Sequence, residues 1–135
     1  LNKRLVFLNE VIKSAGIDGV LTLHMRAEDA GRNPEFREKY DFACARAVAS
    51  LPVLSEYCLP FVKKGGLFVA LKGPSAGEEA AAAERAAGML GAGKPDIICE
   101  TLTGNEQRTF VLLKKISQTP TKYPRKPSEI SKQPL

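Results

Sequence analysis

Few residues in this 135-residue chain could carry chemistry by type and spacing, and most of those that could are basic. Arg46 closes the compact apolar run Tyr40 to Ala45, which reads as a β-strand, so its guanidinium stands at a strand's C-terminal end. Ligands of open α/β sheets gather at such ends. A guanidinium fork there can hold a base edge or a phosphate bidentately. The plainer alternative is an ion pair with Asp41 or Glu56. Arg26-Ala27-Glu28-Asp29 follows the strand-like run Val20 to His24, and by residue type alone it reads as surface pairing of little energetic weight. Lys72-Gly73-Pro74 closes a third strand; it is no nucleotide P-loop, because no Gly-Lys-Ser/Thr follows. Cys44, Cys58 and Cys99 are too few and too widely spaced for a disulfide framework or a Cys-only zinc site, and all three read as reduced core thiols. The single histidine, His24, supplies no His-rich metal site and reads as a structural strand-end residue. No metal is expected.

Charge is concentrated at one end. Residues 1–113 hold 14 basic and 14 acidic side chains. Beyond them Lys114, Lys115, Lys122, Arg125, Lys126 and Lys132 face only Glu129, so the whole net charge of +5 lies in the last 22 residues. A concentrated cationic segment favours a polyanion such as RNA, because each phosphate contact releases condensed counterions. Arg108 and Lys114 flank the last strand. With Lys72, Lys122, Arg125 and Lys126 they are candidates for backbone contacts, and Tyr123 is a candidate stacking residue. The alternative for Tyr123-Pro124 is a pin that holds the tail to the domain.

The elements that must position these groups follow from apolar spacing. Leu1, Leu5, Leu8 and Ile12 predict a helix over residues 1–15, stopped at Gly16. Val20 to His24 and Tyr40 to Ala45 predict strands, separated by a polar stretch broken at Gly31 and Pro34. Ser50 predicts a helix cap, with Pro52 in the first turn and the helix running to about Lys64. Gly65-Gly66 predicts a turn into the strand Leu67 to Leu71. An alanine-rich helix is expected over Ser75 to Leu90, with Glu78, Glu79, Glu84 and Arg85 facing water. Asp96 to Leu102 and Thr109 to Lys115 predict an antiparallel pair joined by the short connection Thr103 to Arg108. Residues 117–135, rich in proline and basic side chains, read as an extended tail beyond a domain of residues 1–116. The alternation predicts an α/β sandwich with a mainly parallel sheet and one antiparallel addition. Composition, 44% hydrophobic and 26% charged, is that of a globular chain. No apolar run approaches the ~18 residues of a membrane helix, no secretory signal is read after Leu1, and a cytoplasmic location is expected.

Taken in order, Leu1-Asn2-Lys3-Arg4 with Phe7-Leu8, His24-Met25-Arg26-Ala27-Glu28-Asp29, Tyr40-Asp41, Ala45-Arg46-Ala47-Val48-Ala49, Lys72-Gly73, Arg108, Lys122-Tyr123-Pro124-Arg125-Lys126 and Pro134-Leu135 resemble the glucose-inhibited division protein B family. Its members are bacterial methyltransferases that place 7-methylguanosine in small-subunit (16S) ribosomal RNA. The resemblance implies a Rossmann-like S-adenosylmethionine-dependent methyltransferase fold, here incomplete, because the glycine-rich loop and the ribose-holding acid precede Leu-Asn-Lys-Arg in the family. It implies that the strand Val20 to His24 has lost its sheet neighbour. It further implies that Ala27 and Glu28 line the adenine side of the cofactor and that Arg46 is a cofactor-binding residue. The partner implied is small-subunit ribosomal RNA or the assembling 30S subunit. The chain departs from the pattern at Met25, where the family has Gly, and at Ser128 and Ile130, where it has Gly and Pro.

The implied reaction explains which groups are missing. A purine's imidazole nitrogen offers an in-plane lone pair and carries no proton, so its methylation needs alignment rather than a general base. Pyrimidine-carbon methylation would need a cysteine nucleophile. No general base and no covalent nucleophile are therefore assigned. Two other classes fit the alternation of elements: a noncatalytic RNA-binding α/β module and a nicotinamide-dependent oxidoreductase.

Overall fold

The computed structural model describes residues 2–46, 49–73, 75–101, 104 and 106–135. Leu1, Ala47 and Val48, Pro74, Leu102, Thr103 and Asn105, all within segments singled out above, lie outside the described residues. Helix α1 spans Asn2–Ser14 and α2 spans Ala27–Ala30. Strand β1 (Tyr40–Arg46) leads to α3 (Leu51–Cys58), then to a single 3-10 turn and β2 (Val62–Lys72). Helix α4 (Ala76–Met89), strands β3 (Asp96–Thr101) and β4 (Gln107–Lys114), and helix α5 (Pro127–Lys132) complete the order. Among the described residues the strands form one sheet in the order β1-β2-β4-β3. The β1–β2 pair is parallel, and β2–β4 and β4–β3 are antiparallel, so the α/β class and the antiparallel last pair are as expected, but the described sheet is mixed rather than mainly parallel.

Among the described residues only one face of that sheet is packed. Side chains alternate along a strand, and the register sets Ala43 beside Phe68 and Leu113, and Ala45 beside Ala70 and Val111. Leu51 and Leu54 of α3 and Ala76, Ala80, Ala83 and Ala87 of α4 close over this layer. The alanines recur at helical spacing, and their small side chains let the helix lie close to the sheet. The alternate residues Phe42 and Cys44 are exposed on the opposite face.

Several expectations need correcting. Residues 20–24 form no strand. A strand is held by ladder bonds to a neighbour, and β1, an edge strand, pairs with β2 alone among the described residues. Helix α3 stops at Cys58 instead of Lys64, because Pro60 brings no N–H and disfavours helical geometry in the residue before it. Gly65-Gly66 is no turn between elements but a bulge inside β2. Val62 to Leu67 opposes only Tyr40 to Phe42, and a Cβ on Gly66 would lie 2.6 Å from the Asp41 carbonyl oxygen. Cys44 and Cys99 are exposed rather than buried, one on the open face and the other on edge strand β3.

The C-terminal segment is not extended. It begins against Gly91, whose φ of +86° disfavours any side chain and where a Cβ would lie 2.5 Å from the Ser117 carbonyl oxygen. Ile116 and Ser117 both donate to the Gly91 carbonyl. The Thr119 hydroxyl donates to the Leu90 carbonyl at 2.7 Å, Tyr123 is buried, and α5 inserts Ile130 into the interior. Ile130, expected in an extended tail, is thus a packing residue.

Candidate functional site

The register brings the C-terminal ends of β1 and β2 beside the start of β4: Arg46 opposes Leu71, and Lys72 opposes Thr109. Arg46, Lys72, Gly73, Gln107 and Arg108 therefore line one open cavity of about 510 Å³. Three residues singled out separately in the sequence meet there, at the strand ends where α/β sheets bind ligands.

Their circumstances differ. Lys72 is committed to the fold, with its side chain only 8% exposed. Its ammonium donates to the Glu79 carboxylate at 2.6 Å and to the Ala49 carbonyl at 2.7 Å. The same Glu79 accepts the Leu51 N–H at 2.9 Å. Helix α3 is thus capped by a carboxylate from α4; Ser50 occupies the cap position without making a cap bond. Glu79, expected to face water, instead ties the β1–α3 connection to the end of β2. Arg108 pairs with Glu106 at the cavity rim. Arg46 makes no ion pair among the described residues. The partners considered for it are taken: Lys63 holds Asp41 and keeps its carboxyl below the usual range, and Arg125 holds Glu56.

Ala27 and Glu28 open α2. The Glu28 carboxylate is buried and accepts from Arg26 Nε at 3.1 Å. Ala27 instead lines an apolar cavity of about 410 Å³ with Leu23, Met25, Phe42 and Cys44. Arg46 and Ala27 thus line different cavities. Cys58 borders the apolar one, and burial pushes its thiol up to about 12, so it stays protonated and non-nucleophilic near neutrality.

The other basic candidates are scattered. Lys114 ends β4, about 20 Å at strand rise from Arg108 near its start. Lys122 and Lys126 are exposed, the former with its ammonium 5.1 Å from the Tyr123 ring centroid. Tyr123, expected to stack on a base, has its ring inside the fold, which is the pinning alternative. Arg125, expected on RNA, is spent on Glu56 through Nε at 2.9 Å and a terminal nitrogen at 2.7 Å. Sequence reasoning missed the roles of Glu79 and Arg37, and gave Glu56 the wrong partner, Arg46 in place of Arg125. Each acts on a segment distant in the chain, and no local pattern marks them.

These features define an open-faced α/β domain with a cationic groove at its strand ends. Residues 1–111 match the family model of rRNA small subunit methyltransferase G, and the chain belongs to that family. It is 52% identical over its whole length to the ribosomal RNA small subunit methyltransferase G of Acetivibrio thermocellus. It is 48% identical to that of Lactobacillus johnsonii and 47% identical to that of Clostridium novyi. It spans only 56%, 57% and 56% of those proteins' lengths, respectively. No helix among the described residues is long and apolar enough to cross a membrane.

Proposed function

We propose that this chain is the C-terminal portion of a methyltransferase that uses S-adenosylmethionine to form 7-methylguanosine in small-subunit ribosomal RNA, acting in the cytoplasm on the RNA or the assembling 30S subunit. The observation that carries the reading is Arg46, a cation with no ionic partner among the described residues, in a strand-end groove of a chain that belongs to this family. The apolar cavity beside Ala27 fits the adenine end of the cofactor. It offers apolar walls from Leu23, Met25 and Phe42. Ala27 and Glu28 would hold that end and Arg46 would bind beside it. When bound, the cofactor supplies an electrophilic methyl group.

The chain's own work is alignment. The guanine nitrogen to be methylated must keep its lone pair free, so Arg46 cannot fork across that nitrogen and the neighbouring oxygen. It grips the target nucleotide through a phosphate or through that oxygen alone. The Lys72–Glu79 bridge fixes the segment that follows Arg46. Arg108, Lys114, Lys122 and Lys126 present charge to the RNA backbone.

The open sheet face and the free edge of β1 imply that the rest of a longer polypeptide covers them and that this chain alone does not turn over. Cys44 reports on that cover. A thiol reagent should modify it readily in the 135-residue chain and slowly in the full-length polypeptide; equal rates would remove the argument.

The deciding experiment is transfer of a labelled methyl group by the full-length polypeptide to small-subunit RNA from a strain lacking the enzyme. Label should appear at a guanine ring nitrogen and fall about 10²-fold or more in Arg46→Ala. No transfer to any ribosomal RNA, with RNA binding indifferent to the cofactor, would leave a noncatalytic RNA-binding module as the better reading.

A further inference from the structure

A second cationic cavity, of about 400 Å³, lies where the α2–β1 connection meets the C-terminal segment. Arg32, Arg37, Thr121 and Lys122 line it. No carboxylate among the described residues lines it, and none of its three cations forms an ion pair among them.

Neutral groups hold these cations in place. One terminal nitrogen of Arg37 donates to the carbonyls of Gly31 at 3.0 Å and Tyr123 at 2.9 Å. The other donates to those of Thr119 at 2.7 Å and Pro120 at 3.3 Å. Carbonyls fix the guanidinium and leave its charge uncompensated. Among the described residues Arg32 spends only Nε, on the Pro124 carbonyl at 2.8 Å, which leaves its terminal fork available. Lys122 is held at the Tyr123 ring. Glu38, the carboxylate adjacent to Arg37 in the chain, already accepts from the Lys115 ammonium and the Thr119 N–H. Three like charges on one cavity repel each other until an anion enters, and an arginine fork with a lysine suits a phosphate oxygen set.

We propose that this cavity is a phosphate site for the RNA backbone, separate from the Arg46–Arg108 groove and bound at the same time. The inference rests on the RNA-directed reading above. Arg37 lies just before β1 begins and Arg46 at its end, so the two sites stand about a strand length apart, roughly 20 Å. A polyanion can span that distance, whereas a mononucleotide cannot.

The test uses the full-length polypeptide and labelled small-subunit ribosomal RNA in filter binding, from about 50 to about 200 mM KCl, where each phosphate contact adds to the salt slope. The double variant Arg32→Gln/Lys122→Gln should weaken binding about tenfold and flatten the slope of log K against log salt by about 1.4 to 1.8, the value for two lost contacts. Lys94→Gln, at a lysine paired with Glu84, is the control and should change neither. Lys122→Gln alone removes no hydrogen bond of the fold and should flatten the slope by about half as much. A steep slope in the unsubstituted protein that the double variant and Lys122→Gln both retain would overturn the phosphate site. A flat slope in the unsubstituted protein would overturn the RNA-directed reading itself.

Discussion

The two ends of this chain invert their compositions. The N-terminal stretch is rich in large apolar side chains, yet Phe7 is 66% and Leu21 77% exposed. The C-terminal stretch is rich in lysine, proline and hydroxyl residues, yet Tyr123 is 4% exposed and Ile130 fully buried. Hydropathy describes what a segment gains by burial; the partner surface available decides whether it is buried. The C-terminal segment finds Glu56, Glu38, Arg37 and the Leu90 carbonyl waiting for it. Helix α1 and residues 20–24 carry surfaces of the right kind for a core that the rest of this chain does not supply.

That contrast breaks most sharply at Arg125. Glu56 is completely buried, and its carboxylate accepts the Arg125 N–H at 2.7 Å as well as the guanidinium. The pairing holds the Arg125 guanidinium above its ordinary value, so the guanidinium stays charged at every working pH. Arg125→Ala leaves a buried charge unpaired and should cost about 3–5 kcal/mol in urea unfolding; a loss near zero would mean that the segment is not docked. Next in size, Ile130→Ala should cost toward the lower end of the ~2–5 kcal/mol range, because a short helix can settle into the space it leaves. An unchanged midpoint would make the tail an appendage after all.

Lys115 sharpens the comparison through pH. Its ammonium is buried and donates to the carbonyls of Leu59 and Val62, each at 2.8 Å. Desolvation pulls it below its ordinary value, and Glu38 opposes that shift. The unfolded chain therefore binds the proton more tightly. Between the lowered native value and about 10.5, stability should rise with pH, with a constant penalty below that window. Lys115→Met should lose the alkaline rise, and a rise that persists would place its cause elsewhere. The smallest effect belongs to the N-terminal end: Phe7→Ser should shift the stability of the 135-residue chain by no more than about 0.5 kcal/mol. The same substitution in the full-length polypeptide should cost several times more if α1 is covered there, and equal costs would show that it is not.

Much of the groove was legible in the residues. The apolar run before Arg46, the strand ending at Lys72 and the short connection before Arg108 each declare themselves locally. Parallel and antiparallel pairing then leaves little freedom in where their ends meet. The commitments of those residues were not legible. Lys72 looks like any surface lysine until Glu79, seven positions on, turns inward to cap another helix. Arg37 gives no sign in the sequence of gathering carbonyls from residues 119, 120 and 123.

By itself, the sequence determined the alternation of elements, the antiparallel last strand pair, the charge gradient and the family, because these rest on local periodicity, turn chemistry and ordered motifs. Only the tertiary structure decided which cations remain open to a ligand. An ion pair depends on which carboxylate arrives within about 3 Å, and that is set by the packing of segments tens of residues apart.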